Sequence, residues 1–374
     1  MIRHIVRFAP AVLAVALLIW GAAVPAAEGL PAFPDGADII ISLNGADIRS
    51  QPSFDSDMQK LLSQLDDEAT REYNEFKAKT GMDPARDLDA AAIAVYLPAP
   101  KADGTEGDPD FLAIVRGRFS PAKIGAYVES MATKEGGKAT QSTHNGVAVY
   151  EIVEPGPGAD MAYLGITNTS LVIGNRKPLI QKTIDAVTAG KMSADPKLKT
   201  LMDGVDMKAT LWAVGLMPAK PAPPAADPQN PAMMPPDPTD QIKSFAFSLD
   251  GKQGVNLKVD INCKDANAAM MMKNQAEMLR GMAGMMLLQS GANLTPEAAT
   301  KFNQMLQKIQ CNAVADKVSV AFILTQAEKD ELVKILNDLK TKLDAQAKAA
   351  DGSTTSSAPK SPEMAPRPQG PAGF

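Results

Sequence analysis

Gly254–Cys263 reads GVNLKVDINC, and its alternation decides how the chain is read. Val255, Leu257, Val259, Ile261 and Cys263 fall on one side of an extended backbone, while Asn256, Lys258, Asp260 and Asn262 fall on the other. Successive strand side chains point to opposite faces, so the pattern specifies a sheet with one face buried and one wet. Such sheets are antiparallel and built from hairpins. The partner strand is expected just upstream in Phe245–Leu249, joined through Asp250-Gly251.

Working outward, the clearest hairpin is Asn145-Gly146 between KATQST and VAVYEIV, because a two-residue loop of this type needs positive φ at both positions. Further strands are expected at Ala37–Leu43, Ala90–Leu97, Phe111–Phe119, Met161–Thr167, Leu171–Gly174, Ala209–Leu216 and Val318–Leu324. Helices are read between them. One has Phe54, Met58, Leu61, Leu62 and Leu65 on a face, and its pattern continues through Tyr73 and Phe76 to Gly81. Ser120-Pro121 opens another with Ile124, Tyr127, Val128 and Met131 inward. Lys177–Ala189 is a third, and Thr295-Pro296-Glu297 opens a fourth. Thr325 to Glu328 is a capping box for a long helix with Leu332, Leu336, Leu339 and Leu343 on one side.

Hairpins with helices inserted between them give an α+β class: antiparallel sheets with helices packed on one face. The two halves share an order of elements, without a residue-level repeat that aligns. The expected organisation is a leader over 1–26, an N-terminal α+β domain over 27–205 and a C-terminal α+β domain over 206–350. The second carries a proline-rich insertion at 218–238, with nine prolines in 21 residues, and a Pro/Ser-rich disordered tail fills 351–374.

The leader has Arg3 and Arg7, an apolar run from Phe8 to Val24, and the small-residue cleavage pattern Val24-Pro25-Ala26. Its arginines are not adjacent and no cysteine follows, so the expectation is ordinary export to the periplasm or the medium, not a lipoprotein. An uncleaved N-terminal anchor is the lesser alternative. No later stretch is apolar enough to span a bilayer. Without the leader, 36 basic residues face 43 acidic ones, a net charge of −7, and the Lys/Arg are not clustered. Nucleic acid is therefore excluded as a partner.

The chain is poor in catalytic side chains. After the leader its one histidine is His144, beside the Asn-Gly turn, which suits neither a hydrolytic triad nor a zinc site. Gly136-Gly137-Lys138 is followed by Ala139, so it is not a phosphate-binding loop. Asp103, Glu106, Asp108 and Asp110 lack EF-hand spacing and read as a solvated loop. No cofactor or metal is expected. Cys263 and Cys311, in an exported chain, are expected to form a disulfide.

The unusual stretch is Ala269–Gln289, AMMMKNQAEMLRGMAGMMLLQ, with seven methionines between Met270 and Met286. On a helix, Lys273, Glu277 and Arg280 make a polar line with a Lys273–Glu277 pair. Met271, Met278, Met282, Met285 and Met286 lie away from it. The first reading packs the methionines on the sheet. The second makes them an adaptable apolar contact face, since thioether chains fill irregular space. A copper site is the third. Gly281 and Gly284 weaken the helix and favour a movable element.

The runs TGMDPARDLDAAAIAVY, FLAIVRGRFSPAKIGAYVES, NGVAVYEI and LVIGNRKPLIQKTIDAV, within Ala37 to Leu216, resemble a broad class of exported bacterial α+β proteins of unknown function. The resemblance implies fold and location and names no catalytic residue. The functional expectation is a non-enzymatic envelope protein that binds a protein partner or an apolar, lipid-like ligand. The alternatives are a hydrolase using an Asp/Glu pair in the manner of glycosidases, and a periplasmic carrier of an apolar ligand.

Overall fold

The computed structural model describes residues 33–50, 54–63, 65–98, 107–156, 161–190, 195–218, 238–289 and 295–352. The leader, most of the proline-rich insertion, Asp103, Glu106 and nearly all of the tail lie outside these residues. In chain order the elements are β1 (Ile39–Leu43), α1 (Gly45–Arg49), α2 (Phe54–Leu62), α3 (Asp67–Thr80), α4 (Pro84–Asp87), β2 (Leu88–Tyr96), β3 (Asp110–Gly117) and α5 (Pro121–Lys134). There follow β4 (Lys138–His144), β5 (Val147–Val153), β6 (Met161–Ile166), β7 (Ser170–Gly174), α6 (Lys177–Thr188), α7 (Pro196–Met202) and β8 (Leu211–Leu216). The last are β9 (Ile242–Asp250), β10 (Gly254–Cys263), α8 (Ala266–Gln289), α9 (Pro296–Leu306), β11 (Gln310–Val314), β12 (Lys317–Thr325) and α10 (Gln326–Gly352).

The twelve strands among the described residues join one antiparallel sheet, in the order β11-β12-β10-β9-β8-β1-β2-β3-β7-β6-β5-β4. The fold is α+β with a single sheet. The boundary expected near residue 205 falls between α7 and β8, and the hydrogen-bonded ladder between β1 and β8 crosses it. Outward from that ladder the two sides begin alike. Each has a strand pair (β2–β3, β9–β10), then helix on the same sheet face, then a further hairpin (β4–β5, β11–β12).

Register assigns the faces. On the first face, Tyr150, Ile152, Leu164 and Ile166 meet Ile124 and Val128 of α5, with Phe76 of α3 edge-on to Tyr127 at 5.3 Å between ring centroids. Leu43 and Leu211 pack under Ile48, Phe54 and Met58. Further along the same face, Val255 and Leu324 lie beneath Met305 of α9 and Leu332 of α10. The opposite face carries the largest core, where Ile40, Leu112, Val172 and Trp212 are closed off by Ile180 and Ile184 of α6 and Leu198 of α7. Two helices thus cover the second face of the sheet, alongside the layer expected on the first.

Several local expectations are met by definite physics. Asn145 and Gly146 have φ of 47° and 81°, and the β4–β5 register runs without a break from the turn, pairing His144 with Val147. Gly81 ends α3 in the left-handed conformation with its N–H on the Lys77 carbonyl. Thr325 and Glu328 exchange hydrogen bonds in the capping box, and Lys308 beside Glu328 holds that carboxyl down to about 2. Along β10, the polar side is wet at Asn256 and Lys258, as the alternation requires.

Other expectations are corrected. Ser120 precedes α5 without a side-chain cap bond; Pro121 alone marks the start. On α10, Ile335 is buried and Leu336 is 46% exposed, so the inward line runs through Leu332, Ile335 and Leu339. Strand β11 was not legible, because its turn into β12 uses Ala315 at φ 52° and no Gly or Asn announces it. The short helices α1, α4 and α7 carry no periodicity to read, each being under two turns.

Candidate contact face

Helix α8 starts where β10 ends. The Asp265 carboxylate accepts from the Ala268 N–H at 2.8 Å, satisfying one of the open donors of the first turn. Ala268 and Ala269 are buried against Cys263 and Val318, and Met272 packs beside them. The small side chains let the helix lie close on β10, β12 and β11. Ala276 and Ala283, spaced by seven from Ala269, continue this side and are half-buried.

The polar line sits next to the alanines. Arg280 Nη1 donates to the Ile309 carbonyl at 2.8 Å, and Lys273 pairs with Glu277 at 3.5 Å. The bond to Ile309, the residue before β11, holds this line beside that strand. Turning alanines and this line inward turns the methionines out. Met271, Met278, Met282 and Met285 are 54%, 57%, 37% and 56% exposed. The expectation that they pack on the sheet is overturned for these four; the side chain of Met286 lies outside the described residues.

The cause is a competition between two sides of one helix. A buried methionine gains about 1.5–3 kcal/mol over an exposed one, so leaving four half out forgoes about 1 kcal/mol each. Against this stand close alanine packing and a charge-assisted hydrogen bond to a strand-edge carbonyl that would otherwise lack a protein donor. Gly281 lies on the outer side, and a Cβ built there would meet no atom within 4 Å. The sequence signal that marks the inner side is the seven-residue spacing of Ala269, Ala276 and Ala283.

The expected disulfide is also overturned: Cys263 and Cys311 are both free and buried. Strand β12 lies between their strands. Cys263 N–H donates to Asp316, whereas Cys311 is level with Val320, four residues further along β12. Two strand spacings and four residues of rise separate the Cα atoms by roughly 16 Å, against the ~4.4–6.8 Å a disulfide needs. Burial pushes both thiols up, aided at Cys263 by Asp316 and Asp265, so neither is poised as a nucleophile.

Among the described residues the buried carboxylates do not converge. Asp47 is fully buried with Lys252 Nζ at 2.9 Å. Asp195 caps α7 through the Lys197 N–H at 2.8 Å and accepts from Gly36 N–H. Burial pushes the Asp260 carboxyl up, but the Ser319 hydroxyl at 2.6 Å, with Lys317 and Lys258, outweighs it and holds the group low. Each buried acid answers to its own partners in a different part of the sheet. His144 Nε2 lies 2.7 Å from Asp185 Oδ1, which also accepts from Asn145 Nδ2 at 2.6 Å, a link that ties the hairpin to α6. Asp110 pairs with Arg176 at 3.1 Å. Among the described residues, no three His, Cys, Asp or Glu side chains are grouped to hold a metal ion.

Residues 49–345 match the profile of a family described as proteins of unknown function, DUF3352. The chain belongs to this family. No curated protein matches the chain. The solved structure titled crystal form I of TP0453 is similar at 10% sequence identity and a TM-score of 0.36, over 86% of this chain and 99% of that one. No helix among the described residues is long and apolar enough to cross a membrane.

Proposed function

We propose that this chain is a non-catalytic binding protein of the cell envelope, whose contact face is the outer side of α8. The observation that carries the reading is the inverted helix: Met271, Met278, Met282 and Met285 are presented to solvent while alanines and charges face the sheet. Contiguous exposed apolar side chains on a protein of this size mark a surface that meets something. Flexible thioethers suit a partner of irregular apolar shape. The export leader supports an envelope location, and the scatter of buried acids supports binding over two-carboxylate hydrolysis.

The test is photochemical capture in place. The chain is expressed with a photoreactive methionine analogue, exported, and irradiated in the intact envelope. Adducts of a lipid or a protein on the peptides spanning Met271 to Met285 are expected. Adducts confined to other methionines, with none on α8, overturn the reading.

A second reading, a carrier of an apolar ligand, is favoured by the middle of the first sheet face. There Ile39, Ile41, Ile93, Val95, Phe245 and Phe247 share one face by register and are half-buried, outside every buried cluster. Native mass spectrometry of protein purified from its own envelope tests it: a bound lipid lost in Phe247→Asp supports the carrier, and bare protein counts against it.

A further inference from the structure

We infer that α8 is a self-association helix, with two copies of the chain paired through the stripe from Met271 to Met285 and crossing at Gly281. The inference rests on α8 being a contact face and adds what occupies it.

The first observation is Gly281. Glycine in a helix interior costs about 1 kcal/mol relative to alanine. A Cβ at this position meets no atom of the described residues within 4 Å, so no contact among them requires the glycine. A helix keeps a small residue on its outer line where a second backbone comes close. Met278 and Met285 flank Gly281 at three and four residues, on the same side. A two-fold axis at the crossing therefore sets Met278 of one copy against Met285 of the other, the isologous arrangement of most dimers.

The second observation is charge. The outer side carries Met270, Met271, Asn274, Met278, Met282 and Met285, and at its margin, one turn before Gly281, stands Glu277, paired with Lys273 at 3.5 Å. Lys273 and Arg280 are held by Glu277 and the Ile309 carbonyl. Helices that lie on anionic lipid present a basic face, and α8 presents none. The methionine stripe itself is uncharged and Glu277 at its margin is offset by Lys273, so a second copy meets little like-charge repulsion, and the stripe has no charge pattern with which to select a different protein.

The third is size. From Met271 to Met285 the stripe runs about 21 Å. Its half-exposed side chains offer on the order of 500 Å² of apolar surface, at the upper end for the largest patch of a monomer. Stable interfaces bury ~800 Å² per partner, so the stripe with its polar shoulders supplies most of what a dimer needs.

The experiment is sedimentation velocity on protein purified from cells exporting the full-length chain, across the micromolar range. Wild type is expected to sediment as a dimer. Met278→Glu and Gly281→Leu are each expected to raise the dissociation constant at least roughly tenfold, with the circular dichroism spectrum unchanged and no loss of melting stability at concentrations where wild type is itself dissociated, since both positions lie outside the core. Gly281→Cys is expected to give a disulfide-linked dimer on a non-reducing gel. A monomer at all concentrations overturns the proposal, as does a dimer indifferent to Met278→Glu and Gly281→Leu. In the monomer case, photoadducts on α8 to lipid or another protein leave the contact-face reading standing, whereas an α8 without adducts removes both.

Discussion

Helices α5 and α8 follow sheet strands on the same face, and each carries a glycine, yet they use their apolar residues in opposite ways. In α5 the apolar line Ile124, Val128 and Ala132 is buried, and Gly125 has the Tyr150 hydroxyl where a Cβ would go. In α8 the large apolar line is outside, and a Cβ at Gly281 would meet no described atom within 4 Å. The difference lies in what each helix finds beneath it. Helix α5 covers β4, β5 and β6, where Tyr150, Ile152 and Leu164 offer a broad apolar floor that also meets α3. Helix α8 covers a narrow edge of β10, β12 and β11, where the floor is Cys263, Val318 and Ala313. Near β11 the backbone carbonyl of Ile309 lacks a strand partner and takes Arg280 instead. A narrow floor favours alanine, and an edge carbonyl favours a cation.

The contrast can be broken at four points. Ile124→Ala is expected to cost about 3 kcal/mol in urea unfolding, because it opens a cavity in a site closed on all sides. A loss below roughly 1 kcal/mol would mean that α5 is no better seated than α8. Gly125→Ala is expected to destabilise by about 1–3 kcal/mol, since the new methyl must displace Tyr150. The same change in the other helix has the opposite sign: Gly281→Ala is expected to raise monomer stability by up to about 1 kcal/mol in melts at low concentration. Destabilisation there would show that some part of the chain needs the glycine. Smallest of all, Met278→Gln is expected to move stability by no more than about 0.5 kcal/mol, as befits a side chain more than half exposed. A cost of 2 kcal/mol or more would place it in a core.

Much of the architecture could be read from local signals. The β10 alternation, the Asn145-Gly146 turn, Gly81 at the end of α3 and the Thr325/Glu328 box all act within a few residues, so their outcome does not depend on distant parts of the chain. Strand β11 escaped because Ala315 takes a left-handed turn that tertiary pairing with β12 imposes on a residue with no preference for it. The cysteines were mispaired because separation along the chain says nothing of the strand inserted between them. The side of the α8 methionines stays open in the sequence because the helical period separates two lines without saying which one meets the sheet. Buried polar pairs such as Asp47 with Lys252 join residues about 200 positions apart and leave no local trace.

By itself the sequence determined the α+β class, the hairpin partners around most turns, the end of α3 at Gly81, the starts of α5, α9 and α10, and the poverty of catalytic groups. These follow from side-chain period, turn chemistry and composition, which are short-range or summed quantities. Tertiary structure alone decided that all strands share one sheet, that α6 and α7 close its second face, and that α8 shows its methionines to solvent. Those outcomes turn on which surfaces compete for burial once the strands are ordered, and a side chain's apolarity does not say whether a better-fitting neighbour has already taken the place beneath it.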